Sequence, residues 1–154
     1  MISQESLNND EIIDFLEITP PFLMIDWVEK IIPGKSCYAV KKLKKEDWFF
    51  KCHLEREMVM PGALLIEAML QTLVLTIYTL EENKGRLSYV TDITTKLFSK
   101  VSPDSQLDIY ADLLSYKRGI AKGIVKAKVN NKNVCQGEFK LISPHNMPTP
   151  RVIN

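Results

Sequence analysis

Cysteine is scarce in this chain, and the three present, Cys37, Cys52 and Cys135, are odd in number, far apart and without CxxC spacing. Neither a disulfide framework nor a cysteine-held metal site is suggested, and a reducing compartment fits. An excess of charge is missing too. Twenty Lys and Arg against nineteen Asp and Glu leave a formal net charge of +1, whereas phosphate contact on any scale needs a basic surplus on one face. Nucleic-acid binding therefore has no general support, although a local basic patch stays open. The opening MISQESLNNDEIIDFL has no basic region and reaches Asn8-Asn9-Asp10-Glu11 before any apolar run develops, which argues against a secretory signal. Internal repeats and low-complexity tracts are absent. The expected location is cytoplasmic.

What is present suits one soluble globular domain. The 154 residues are 45% hydrophobic, enough to bury a sizeable core. We expect a single domain over 1–154, with an N-terminal segment at 1–20 and an irregular tail at 143–154 that holds Pro144, Pro148 and Pro150. A short amphipathic segment, Asp10 to Leu16, precedes Thr19-Pro20-Pro21, where the prolines end any helix. Val28 to Ile32, the turn signal Pro33-Gly34-Lys35, and Ser36 to Leu43 read as a hairpin. Gly62 to Leu80, GALLIEAMLQTLVLTIYTL, is apolar on every side and rich in helix formers, with Pro61 where a helix begins. Such a helix is expected at the centre of the fold, sheathed by other structure. Its length is near the lower limit for a membrane span, but Glu67 inside it would be costly in hydrocarbon.

Beyond Asn83-Lys84-Gly85, four strand-like runs follow: Ser88 to Phe98, Gln106 to Tyr116, Ile120 to Val129, and Val134 to Ile142. Pro103-Asp104-Ser105, Lys117-Arg118-Gly119 and the tetrad Asn130 to Asn133 separate them. Val125, Ala127 and Val129 alternate with Lys126 and Lys128, which is the pattern of a sheet with one buried and one wet face. Hairpin, long helix and antiparallel meander together predict an α+β domain whose sheet curls around one central helix.

The chemistry concentrates in Trp48 to Gln71. His53 stands just before the helix, Gly62 opens it, and Glu67 lies five residues further, about 7.5 Å along the axis. Gln71, one turn after Glu67, shares its face and is expected to support it by hydrogen bonding. A carboxyl in this apolar setting is expected to be desolvated and so protonated near neutral pH, ready to act as an acid. Histidine needs no shift to act as a base. The unpaired N–H groups at the helix start, Gly62 above all, are donors for an oxyanion. Taken singly, a histidine before a helix is more often structural than catalytic. A Cys52–His53 nucleophilic pair is disfavoured, because neighbours in an extended segment point apart. His145 reads as a surface residue of the tail.

The segment Cys52-His53-Leu54-Glu55-Arg56-Glu57-Met58-Val59-Met60-Pro61-Gly62, followed by Glu67-Ala68-Met69-Leu70-Gln71, resembles the hotdog-fold 3-hydroxyacyl-acyl-carrier-protein dehydratases. The pattern of that family is roughly G-H-F-P-G-R-P-V-M-P-G and then E-A-M-A-Q. His53 and Glu67 stand 14 positions apart and His53 and Gly62 stand 9 apart, as in the family. Pro21-Phe22-Leu23-Met24-Ile25-Asp26 is similar to its P-F-L-L-V-D, and Val101 to Leu107 to its V-x-P-G-D-Q-L. The departures fall in the loop: Cys52 for Gly, Leu54 for Phe, and Glu55 to Met58 for P-G-R-P, with Glu17-Ile18-Thr19 where the family has P-H-R. A loop stripped of its prolines and glycine differs in shape and mobility.

The resemblance implies a hotdog fold and removal of water from a 3-hydroxyacyl chain on acyl carrier protein, in fatty-acid synthesis or in specialised-lipid or polyketide assembly. His53 and Glu67 would be catalytic, Gly62 would hold the thioester oxygen, and no metal or organic cofactor would be needed. It also implies at least a dimer, with a trimer of dimers open, since His comes from one subunit and the carboxylate from the other. Phe50, Met58, Val59, Met60 and Leu64 are candidates for an acyl tunnel or for plain core. Lys96, Lys100, Lys117 and Arg118 are candidates for docking the acidic carrier. Two alternatives use the same residues: a thioesterase on this fold, and a non-catalytic acyl-binding subunit.

Overall fold

The first helix is set by a local signal. In a computed structural model, whose described residues are 5–149, the Asn8 side chain accepts the Glu11 N–H at 3.0 Å while Glu11 Oε2 accepts that of Asn8 at 2.8 Å. This reciprocal pair satisfies two N–H groups that a helix start leaves without partners. Helix α1 accordingly runs Asn9–Leu16 and ends on Glu17 in the left-handed region. It turns Ile12 and Leu16, one turn apart, into the core.

Helix α2 runs Gly62–Tyr78, two residues shorter than the sequence predicts. The Thr79 and Leu80 N–H groups fold back onto the Leu75 and Ile77 carbonyls and close the helix there. From Gln71 to Tyr78 every side chain is buried. Thr72 and Thr76 tolerate this because their hydroxyls donate to the Ala68 and Leu73 carbonyls at 2.8 and 2.6 Å. The first half of the helix is less enclosed, and Glu67 is half-buried there. Among the described residues no helix is long and apolar enough to cross a membrane.

Among the described residues, seven strands form one sheet that curls around this helix: β1 Glu5–Leu7, β2 Trp27–Ile32, β3 Ser36–Lys42, β4 Tyr89–Leu97, β5 Gln106–Lys117, β6 Ile120–Val129 and β7 Lys132–Ile142. All pairings are antiparallel, in the order β1-β2-β3-β5-β6-β7-β4. The fold is thus α+β, an antiparallel sheet around one long central helix. Two features differ from the sequence reading. Residues 5–7 add a short strand beside β2, and β4 crosses to the far edge beside β7, so only β5, β6 and β7 form the expected meander.

Turn chemistry fixes the register. Lys117 pairs with Ile120 across Arg118-Gly119, and Val129 with Lys132 across Asn130-Asn131. All four turn residues have positive φ, between 49° and 75°, the geometry of a two-residue hairpin loop, which Gly and Asn tolerate. The predicted turn tetrad is therefore half turn and half strand. Gly123 lets α2 rest directly on the sheet, since a Cβ there would lie 2.4 Å from Leu73 Cδ1. The chain after β7 docks through a short turn at Pro144–Asn146. His145 is exposed as expected, yet its Nε2 contacts Asn83 Oδ1 at 2.9 Å. The tail from 150 onward lies outside the described residues.

Candidate active site

His53 stands on a loop pinned by aromatic packing. The preceding single turn, Trp48–Lys51, buries Phe49 and Phe50 with their rings 4.7 Å apart, and the Trp48 indole N–H donates to the Pro21 carbonyl at 3.1 Å. After this anchor the imidazole Nδ1 lies 3.0 Å from the Val59 carbonyl oxygen. A carbonyl can only accept, so Nδ1 carries the proton and the neutral ring keeps its lone pair on Nε2. Cys52 is exposed, with Sγ over the Trp48 and Phe49 carbonyls at 3.6 and 3.8 Å.

His53 and Gly62 line one hollow of about 330 Å³, together with Val59, Met60, Leu65 and residues 97–101. Gly62 lies close to the far wall: a Cβ there would meet Leu97 Cδ2 at 2.8 Å and push that side chain aside. The loop and the far wall are stitched by the Met60 N–H donating to the Val101 carbonyl at 2.9 Å. No side chain caps the start of α2, where Pro61 is extended. A ligand oxygen beside Gly62 therefore meets free N–H donors and the positive end of the helix dipole.

Glu67 occupies a different setting. The Gln71 amide nitrogen donates to Glu67 Oε1 at 2.9 Å and to the Phe22 carbonyl at 3.1 Å, while its oxygen accepts the Met24 N–H at 2.8 Å. The Met24 bond fixes the amide orientation, which in turn aims an N–H at the carboxylate. Gln71 is 1% exposed, so this bracket is rigid. Glu67 and Gln71 line a second, smaller hollow of about 130 Å³ with Leu16, Ile18, Val74 and Tyr78. Within one chain, His53 and Glu67 thus face separate hollows.

Of the five tunnel candidates, Val59 and Met60 line the histidine hollow, whereas Phe50, Met58 and Leu64 do not. Phe50 is core, at 1% exposure, and Met58 and Leu64 pack partly against it. Sequence reasoning missed Leu97, the last residue of β4, and Phe98 just after it, exposed apolar groups that line the hollow. Their signal was the end of the fourth-strand run beside the matched Val101. The four basic candidates do not form one patch. Lys96 lies in register with Lys126 through Gln136, while Lys117 pairs with Ile120, which separates them by about 20 Å along the sheet. Among the described residues no cluster of three His, Cys, Asp or Glu is placed to hold a metal.

An antiparallel sheet curled around a long helix, with a histidine loop leading into the helix start, defines the hotdog class. The fold has relatives of known structure, among them the dehydratase heterocomplex ApeI:P from Xenorhabdus doucetiae, with a TM-score of 0.70 at 14% identity over 86% of this chain and 90% of that one. The sequence narrows this further. A model of the FabA-like domain matches residues 18–138, and the chain belongs to that family. The 3-hydroxyacyl-[acyl-carrier-protein] dehydratase FabZ of Ruminiclostridium cellulolyticum is 37% identical over 135 residues, covering 87% of this chain and 95% of that protein. Its counterpart in Clostridium tetani is 39% identical over 132 residues, covering 82% and 92%.

Proposed function

We propose that this protein is a 3-hydroxyacyl-acyl-carrier-protein dehydratase, a carbon–oxygen lyase that forms the trans-2-enoyl thioester with His53 and Glu67 as base and acid. The observation that carries the reading is the His53–Val59 bond, which leaves Nε2 as a free acceptor in the hollow shared with Gly62. Nε2 takes the proton from C2, and the C2–H bonding pair moves through the carbonyl onto the thioester oxygen, held by the Gly62 N–H. The pair then returns to form the C2–C3 double bond as the C3–O bond breaks, and Glu67, as the acid, supplies a proton to the departing hydroxyl, which leaves as water. Gln71 holds Glu67 in place. No residue in this sequence of steps calls for a metal or organic cofactor, the substrate arriving on a phosphopantetheine arm.

The two groups meet across a pair of subunits. Support comes from their separation in one chain and from β4, an edge strand whose Tyr89, Ile93 and Leu97 are each about half exposed. An edge of this length with apolar side chains is a template for pairing with another strand, and a second β4 would bring two sheets into one. Acyl carrier protein is the expected partner, approaching from the Lys96 and Lys100 side, and the chain acts as a single domain in the cytoplasm.

The test is hydration of a crotonyl thioester on acyl carrier protein and on coenzyme A, followed by loss of the enoyl absorbance. His53→Ala and Glu67→Gln should each lower kcat by about 10² to 10⁴ while the assembly and Tm persist. Near-wild-type rates in either variant would refute the assignment. Release of free thiol would instead indicate a thioesterase.

A further inference from the structure

The histidine hollow carries a second titratable side chain on its wall, Lys100. Its ammonium is engaged by Glu57, 43 positions earlier in the chain. Both side chains remain largely open to solvent, at 68% and 54% exposure, so the pair is weak and exchangeable. Glu57 lies in the segment where this sequence departs most from the dehydratase pattern. The loop is also strained: Leu54 and Met58 have φ of 45° and 49°, conformations that residues with a Cβ resist. A tight turn holds them there, with the Glu57 and Met58 N–H groups both donating to the Leu54 carbonyl at 2.7 and 3.0 Å. The loop is thus fastened to the opposite wall by one backbone bond, Met60 to Val101, and by one replaceable ion pair. A competing anion at Lys100 would release the ion pair.

We infer that Lys100 is a binding site for the phosphate of the phosphopantetheine arm, and that Glu57 is a built-in anion which occupies it until substrate arrives. This rests on the dehydratase reading above, since it takes the arm as ligand. A lysine suits the role as a compact point charge on a flexible stem, able to leave one oxygen anion for another. In the resting chain the Glu57–Lys100 latch ties the loop to the wall of the hollow. When the arm is bound, its phosphate replaces Glu57 at Lys100 and the loop is released.

The experiment compares 4′-phosphopantetheine with pantetheine, which differ by the phosphate alone, by calorimetric titration of wild type, Glu57→Gln and Lys100→Gln. The quantity read is the ratio of the two Kd values, which cancels any general change in the loop. Glu57→Gln should raise the preference for the phosphorylated ligand about two- to fivefold, and Lys100→Gln should lower it by a similar factor, the range an exposed ion pair spans. The double variant should behave as Lys100→Gln alone. A ratio in Glu57→Gln equal to that of wild type, or a phosphate preference undiminished in Lys100→Gln, would overturn the inference. Turnover of the crotonyl thioester decides the dehydratase reading separately, so failure of the latch and failure of the activity give different results.

Discussion

The two halves of the proposed site are built in opposite ways. Glu67 is held by a buried amide whose every polar group is used, on a helix sealed by the sheet from Gln71 onward. His53 stands on an exposed loop with two left-handed residues and a replaceable ion pair. The difference teaches where each kind of precision is needed. A carboxyl acid must keep its environment, so it sits on a rigid element, whereas the base must let a bulky thioester in and out and sits on a segment able to move. The histidine ring itself is oriented by one contact, Nδ1 against the Val59 carbonyl at 3.0 Å.

The largest contrast should appear in thiol reactivity. Burial pushes the Cys37 thiol up to about 12, so at pH 8 its thiolate fraction is only ~10⁻⁴, and burial raises Cys135 as well. Cys52, on the loop, is exposed. An aromatic disulfide reagent should therefore titrate one thiol in the native protein and three after denaturation, and rapid native labelling of all three would dissolve the distinction between open loop and sealed sheet.

Stability changes sharpen the comparison. Gln71→Ala strips partners from the Met24 N–H, the Phe22 carbonyl and Glu67 together, and should cost about 2–4 kcal/mol by denaturant titration. A loss below about 1 kcal/mol would mean that the bracket is less rigid than its geometry. Leu54→Gly acts on the loop with the opposite sign. Leu54 is 59% exposed with φ of 45°, so glycine removes left-handed strain and should stabilise by about 0.5 kcal/mol after its entropic cost. Destabilisation there would show that the Leu54 side chain makes contacts that outweigh the strain.

Legibility in the sequence follows the same divide between local and distant. Proline and glycine at 33–34, the Asn130–Asn131 pair and the apolar run from Gly62 are short-range signals, and the hairpins and the central helix appear where they predict. The position of β4 is not a local property: its pattern marks it as a strand, yet which edge it joins depends on β7, about forty-five residues later. The strand at Glu5–Leu7 has three residues, too few for any periodicity. In the site, Glu67 and Gln71 are tied by helical spacing and are found in contact. Phe50, by contrast, was a tunnel candidate by proximity in sequence alone, and the anchoring turn rotates it into the core. The basic residues fail as one patch for a related reason, because Lys117 and Arg118 sit at the opposite end of the sheet from Lys96.

Everything proposed about the chemistry depends on His53 of one chain meeting Glu67 of another, and that is open to complementation. His53→Ala and Glu67→Gln chains, each inactive alone, are co-refolded and assayed for crotonyl-thioester hydration. Mixed dimers would then hold one site with both residues intact, and about a quarter of wild-type activity should return at equal proportions. No recovery from verified mixed dimers would place both residues in the same chain's site and contradict the account.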